Sequence, residues 1–189
     1  MREALFHALN QRKPVLSAGR HLNNTLSADA RFPGLEPNAA KRRFMADCRF
    51  SLAVENSAHP GYVTEKIADA FLARTVPVYW GDPLVAQEFN PASFVNVRDF
   101  ASHAELADFV MELDRNEERT LAMLNTPPLR QPDQFTSYGA ALTAFLRNIF
   151  DQDQTSARRR PRGGFAGTLE RRRRRDGAGL RALLKRNRL

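Results

Sequence analysis

The sequence holds one cysteine, Cys48, in 189 residues. That excludes a disulfide framework and a cysteine-based zinc site, and is compatible with a reducing cytosol. No apolar run approaches the ~20 residues that a membrane-spanning helix needs, and the opening MREALFHALNQRK has no signal-peptide apolar region. A GxGxxG fingerprint and a P-loop are both lacking, so dinucleotide and Walker readings have no phosphate cradle. The histidines His7, His21, His59 and His103 are scattered, none at metal-ligand spacing with another. What is present is ordinary globular material, 42% hydrophobic and 26% charged, which is enough for one α/β domain and too short for two full ones.

Positive charge is abundant but unevenly placed. Residues 155–189 carry 13 lysines and arginines against two acids, whereas residues 1–154 carry 16 bases and 19 acids. The net charge of +8 therefore describes a mildly acidic globule, residues 1–154, followed by an Arg-rich tail, residues 155–189. Because the globule adds nothing to the basic signal, a nucleic-acid partner is disfavoured. The tail contains Arg158-Arg159-Arg160-Pro161-Arg162-Gly163-Gly164 and Arg171 to Arg175, segments too charged to pack. Leu180, Leu183 and Leu184 recur at helical spacing among bases. The tail thus reads as disordered and solvated, or as a short basic helix lying on an anionic membrane surface.

Within the globule, hydrophobic periodicity alternates between strand and helix. Helices are expected at Arg2 to Gln11, with Leu5, Ala8 and Leu9 on one face, and at Asn38 to Asp47. Val15-Leu16 reads as a short strand, and Ser17 to Pro37 as a loop. Phe50 to Val54 is a buried strand, followed by a turn at His59-Pro60-Gly61 and a helix from Thr64 to Arg74, with Thr64 as its N-cap. Val76 to Trp80 and Phe94 to Val97 are further strands, with Pro77 placed among the first residues of its strand. Ser102 to Asp114, Glu117 to Leu124 and Tyr138 to Phe150 read as helices. Such alternation implies an α/β fold, a Rossmann-like parallel sheet with helices on both faces. Ligands of such sheets bind outside the carboxyl ends of the strands.

The segment from Glu55 to Lys66, ENSAHPGYVTEK, lies at such an end, between a buried strand and a helix start. Free N–H groups and the positive end of the dipole make that start an anion site. Lys66 in the first helical turn opposes the dipole preference, which a bound phosphate would explain. Glu65 is either a favourable dipole partner or an acceptor for ligand hydroxyls. Tyr62 is either a buried aromatic or a phosphate donor, and Asn56 either a plain turn residue or a ligand contact. Together these residues favour a nucleotide-diphosphate pocket. Trp80, which ends a strand, reads as core or pocket wall; Asp47 and Cys48 look structural, and Asp151-Gln152-Asp153 reads as a solvated turn.

Phe50 to Pro83, FSLAVENSAHPGYVTEKIADAFLARTVPVYWGDP, closely resembles the signature region of the α-1,3/1,4-fucosyltransferases. FNPASFVNVRDF (Phe89 to Phe100) is similar to the bacterial members, and REALFHALN (Arg2 to Asn10) resembles the opening helix of their donor domain. The resemblance covers roughly residues 1 to 150 and implies the C-terminal, GDP-fucose-binding half of a two-domain GT-B glycosyltransferase. It implies that Arg2 and Lys66 neutralise the diphosphate and stabilise the leaving group. It also implies that Asn56 and Tyr62 hydrogen-bond phosphate or sugar, and that Glu65 holds the ribose. The implied reaction is inverting transfer of fucose from GDP-fucose to an acceptor glycan containing N-acetylglucosamine or glucose, with no cofactor and no obligatory metal.

In the family the general-base glutamate belongs to an N-terminal acceptor domain. This chain is expected to lack it, and hence to bind GDP or GDP-fucose weakly and turn over little by itself. The alternative is a non-catalytic GDP-sugar-binding fragment or a partner-docking module. The resemblance further implies a cytoplasmic location, with the tail peripheral on the inner face of the membrane where lipopolysaccharide precursors are made.

Overall fold

The computed structural model describes residues 1–157, so the basic runs from Arg158 onward, and the expectations placed on them, lie outside the described residues. The chain forms two compact units, Met1–Pro132 and Asp133–Leu189. The first contains α1 (Arg2–Asn10), α2 (Ala28–Arg31), α3 (Pro37–Met45), β1 (Phe50–Val54), α4 (Glu65–Leu72) and β2 (Val76–Trp80). It continues through α5 (Val85–Glu88), β3 (Val95–Asn96), α6 (His103–Arg115) and α7 (Glu117–Asn125). The second contains α8 (Gln134–Phe150) and the single turn α9 (Gln154–Ala157). The division falls at Pro132, whereas the sequence boundary drawn on charge stands at residue 154. In the second unit Asp153, from the acidic triplet, caps α9 by accepting the backbone N–H and hydroxyl of Ser156.

The first unit is built on a parallel sheet in the order β1-β2-β3. Its side chains alternate between two cores because successive strand residues point to opposite faces. Leu5 and Leu9 of α1, Val54, Val76, Val78, Val95 and Leu106, Val110 and Leu113 of α6 form one core. Ala53, Tyr79, Ile67 of α4, Val85, Phe89 and Phe94 form the other. Both faces of the sheet are thus covered, as the strand–helix alternation requires. Each of the fully buried aliphatic side chains contributes about 1.5–3 kcal/mol relative to exposure. The apolar stripe of α1 is the expected one, with Leu5 and Leu9 buried and Ala8 packed beside them. Arg12 and Lys13 tie the end of α1 to Asp108 and Asp114 of α6.

Pro77 sits in the central strand without breaking it. The Val76 N–H donates to Arg49 beside β1, and strand N–H groups alternate in direction, so the N–H that Pro77 lacks would point toward β3. There β3 pairs only with Val78 and Tyr79, so no ladder bond is lost. Two expectations need correction. Val15-Leu16 is not a strand: the N–H of Val15 is taken by the Asn10 side chain and its carbonyl by the Asn24 side chain. The strand expected at Phe94 to Val97 shrinks to Val95–Asn96, because Val97–Asp99 turns as a 3-10 helix under a cap from Asn96. The 17–37 loop also contains the single turn α2, capped by Ser27.

Candidate functional site

The carboxyl ends of β1 and β2 meet the N-termini of α1 and α4. The last residues of β1 and the two after it act as a cross-strap in which direction alternates residue by residue. On the α1 side, Arg2 donates through Nη2 to the carbonyl of Val54 at 2.6 Å and to Asn56 Oδ1 at 3.1 Å. On the α4 side, the side chain of Glu55 is wholly buried. Its Oε1 accepts the backbone N–H of Thr64 at 2.8 Å, and its Oε2 accepts Lys66 Nζ at 2.9 Å. The Thr64 hydroxyl lies between them, within hydrogen-bond distance of both Glu55 oxygens, and accepts from Lys66 Nζ at 2.8 Å. A relay from Lys66 through Thr64 to Glu55 therefore fixes the ammonium at the start of α4.

Thr64 occupies the N-cap position as expected, but its hydroxyl serves Glu55 and not a helix N–H. The Thr64 hydroxyl thus does not cap α4, whose first N–H, that of Glu65, is met by the Glu65 carboxylate itself. Lys66 retains 22% side-chain exposure, and two of its three donors are used. Arg2 uses one terminal nitrogen for both of its bonds, so among the described residues three of its five guanidinium donors remain for a ligand.

The loop between β1 and α4 is held from β2. Asp82, buried just after β2, accepts the N–H of Gly61 through Oδ2 at 3.0 Å and that of Leu84 through Oδ1 at 2.8 Å. Gly61 has φ +76°, a left-handed conformation that a side chain would strain. Gly81 is needed for closeness: a Cβ there would come within 2.5 Å of both Glu55 Cγ and the Tyr79 hydroxyl. Tyr79 is fully buried, and its hydroxyl accepts the N–H of Asp82 at 3.0 Å. Burial pushes its pKa up to about 12, with the charges of Glu55 and Asp82 adding to the rise and the Asp82 N–H opposing it.

The structure brings together Arg2 with Asn56, and Glu65 with Lys66, whose Nζ lies 3.6 Å from Glu65 Oε1. The Glu65 carboxyl is exposed and held below the usual carboxylate range, first by its own backbone N–H at the helix start and then by Lys66. Tyr62 is 37% exposed on the loop, so it is no core aromatic. Gly81 and Asp82 build the site although the sequence pattern did not single them out, and Glu55, which opens the candidate segment, proves to be its buried anchor. The available signal was Gly-Asp-Pro at a strand end, which reads locally as a plain turn. Among the described residues no three potential metal ligands cluster, and no helix is long and apolar enough to cross a membrane.

Past the ends of β2 and β3 lies an open cleft of about 430 Å³ whose walls include Trp80, Arg98, Phe100 and His103. Trp80 is therefore pocket wall. The Arg98 guanidinium sits 6.0 Å from the centroid of its ring and donates to the carbonyl of Gly81 at 3.2 Å.

Cations and helix N-termini at the carboxyl edge of a parallel sheet define an α/β domain suited to a phosphorylated ligand. Comparison with known proteins makes the class specific. Residues 1–125 match the family model described as glycosyltransferase family 10 (fucosyltransferase), C-terminal, and the chain belongs to that family. It is 38% identical over 159 residues to the alpha-(1,3)-fucosyltransferase FucT of Helicobacter pylori, a match covering 81% of this chain and 31% of that protein.

Solved structures of alpha1,3-fucosyltransferase are similar in fold. One with GDP aligns with a TM-score of 0.68 and 35% identity over 85% of this chain and 46% of that one. Another, with GDP-fucose, aligns with a TM-score of 0.61 and 38% identity over 70% and 36%. The chain thus spans about a third of the length of its bacterial relative and less than half of these structures.

Proposed function

We propose that this chain is the donor-binding part of a fucosyltransferase and holds GDP-fucose at the carboxyl edge of β1 and β2. The observation that carries this reading is the relay that fixes Lys66 at the N-terminus of α4, with Arg2 anchored at the end of β1. In this reading Arg2 and Lys66 face the diphosphate, Asn56 and Tyr62 hydrogen-bond phosphate or sugar, and Glu65 accepts from the ribose hydroxyls.

Transfer breaks the bond between the fucose anomeric carbon and the phosphate oxygen, and forms one to an acceptor hydroxyl with inversion. Negative charge grows on the departing GDP, and two preorganised cations stabilise it where a metal would otherwise serve. The acceptor hydroxyl must lose a proton to a general base. Neither Glu55 nor Glu65 is assigned that role, because Glu55 is buried against Lys66 and Glu65 is a donor-side residue. The base is assigned to the family's acceptor half. The acceptor is expected to be a glycan containing N-acetylglucosamine or glucose.

Isothermal titration with GDP, alongside a fucosyl-transfer assay, tests both parts. Binding of GDP with little turnover by the chain alone supports the reading. Absence of GDP binding removes the donor site, and robust turnover by the isolated chain removes the assignment of the base elsewhere. A cytoplasmic location with the tail on an anionic membrane goes with this reading. Flotation with anionic liposomes, with and without residues 155–189, tests it, and equal flotation of both forms would dismiss it.

A further inference from the structure

We propose that His59 is a third, proton-dependent cation for the donor diphosphate, an inference that rests on the donor-site reading above. His59 lies in the loop between β1 and α4, between Asn56 and Lys66, which that reading already places on the ligand. The loop reverses at His59-Pro60-Gly61-Tyr62: the Tyr62 N–H donates to the His59 carbonyl at 3.1 Å, and Gly61 has φ +76°. With proline second and a left-handed glycine third, this is the pattern of a type II turn, which brings the Cα atoms of its outer residues within about 7 Å. His59 therefore stands beside Tyr62, and both are exposed. Asp82 fixes the turn in place by accepting the Gly61 N–H at 3.0 Å.

The first position of a turn favours Asp, Asn or Ser, whose side chains bond the turn's own backbone. The His59 ring makes no such bond and meets no partner among the described residues. The other histidines are placed differently. His21 pairs with Glu3 of α1, His7 lies T-shaped against Phe6, and His103 opens α6. His59 is thus an imidazole without structural work, carried on a turn that is itself pinned.

The charged groups around the loop decide what it would take. Arg2 of α1, Lys66 of α4 and Arg98 beyond β3 are cationic. Glu55 is engaged with Lys66 and Thr64, Asp82 with the N–H groups of Gly61 and Leu84, and Glu65 lies against Lys66. Each of these carboxylates is already paired, so the counter-ion for a charged His59 comes from the ligand. A bound diphosphate favours the protonated ring, so binding takes up a proton and tightens as pH falls through the range in which histidine changes charge.

Calorimetry of GDP with the full chain and with His59→Gln, at pH 6 and pH 8 and in buffers of different ionisation heat, reads affinity and proton uptake together. Glutamine keeps a hydrogen-bonding side chain at this exposed position, and thermal melting checks that folding is unchanged. The Kd for GDP is expected to rise about three- to tenfold in the variant at pH 6 and by less than about twofold at pH 8, where the imidazole is neutral. At pH 6.5 the unaltered chain is expected to take up more protons on binding than the variant does. Titration of the phosphates of GDP is common to both proteins and cancels in that difference.

Equal affinity of the two proteins at both pH values, or equal proton uptake, would overturn the role of His59 and leave the donor site intact. A loss of the same size at pH 6 and pH 8 would overturn it too, because it would mark a structural part in the turn. No GDP heat in either protein would instead remove the donor site, and the role of His59 with it.

Discussion

Replacing Lys66 by methionine separates the two roles of this side chain. Glu55 keeps its bonds to the Thr64 N–H and hydroxyl but loses the ammonium at 2.9 Å that balances its charge. Breaking a buried ion pair costs about 3–5 kcal/mol; because Lys66 is partly exposed the expected loss is smaller, about 2–3 kcal/mol. Adding Glu55→Gln removes the uncompensated charge, so the double variant is expected to recover at least half of that loss. Ligand binding follows a different pattern. Losing one charged hydrogen bond to a phosphate costs about 1.5–3 kcal/mol, a weakening of roughly 10- to 100-fold in the Kd for GDP. That loss is expected in both the single and the double variant. Urea unfolding and GDP calorimetry on the three proteins read the two quantities independently. A double variant no more stable than the single would refute the ion-pair account, and one that regains GDP affinity would refute a phosphate contact by Lys66.

Gly81→Ala places a methyl group 2.5 Å from two buried side chains, so a loss of about 1–3 kcal/mol in unfolding free energy is expected, together with weaker GDP binding. Unchanged melting would show that the β2 end is looser than described. Asp82→Asn replaces the charged acceptor of Gly61 and Leu84 and is expected to speed amide exchange at Gly61 with little effect at Ile67, a contrast that exchange NMR resolves. Tyr79 ionises more readily unfolded, near 10, than folded, at about 12, so its contribution is complete below pH 10 and fades as pH rises through 12. The fade amounts to on the order of 2 kcal/mol. Tyr79→Phe should flatten that alkaline decline in unfolding free energy, and an unaltered slope would contradict the assignment.

The two long strands were legible because each is a five-residue apolar run closed by polar or turn residues, and both match the structure end to end. Helix faces were legible for the same reason, since Leu5, Leu9, Ile67 and Ala70 repeat at helical spacing and are buried. Val15-Leu16 misled because apolar character alone cannot tell a strand from a segment whose backbone is satisfied by the side chains of Asn10 and Asn24. Single turns such as α2 and α5 are too short to show a period.

At the site, the loop's place at a strand end could be read from the order of elements. Its internal wiring could not: Glu55 meets Lys66 across 11 positions, and Asp82 meets Gly61 across 21, through the crossover that brings β2 beside β1. The oddity of a lysine in a first helical turn was the one local sign of that wiring.

Hydrogen–deuterium exchange of the chain with and without GDP places the ligand without any substitution. Binding as described protects the amides of residues 56–67 and the start of α1 while leaving α7 unchanged; protection confined elsewhere, or none at saturating GDP, would contradict a donor site at the end of β1.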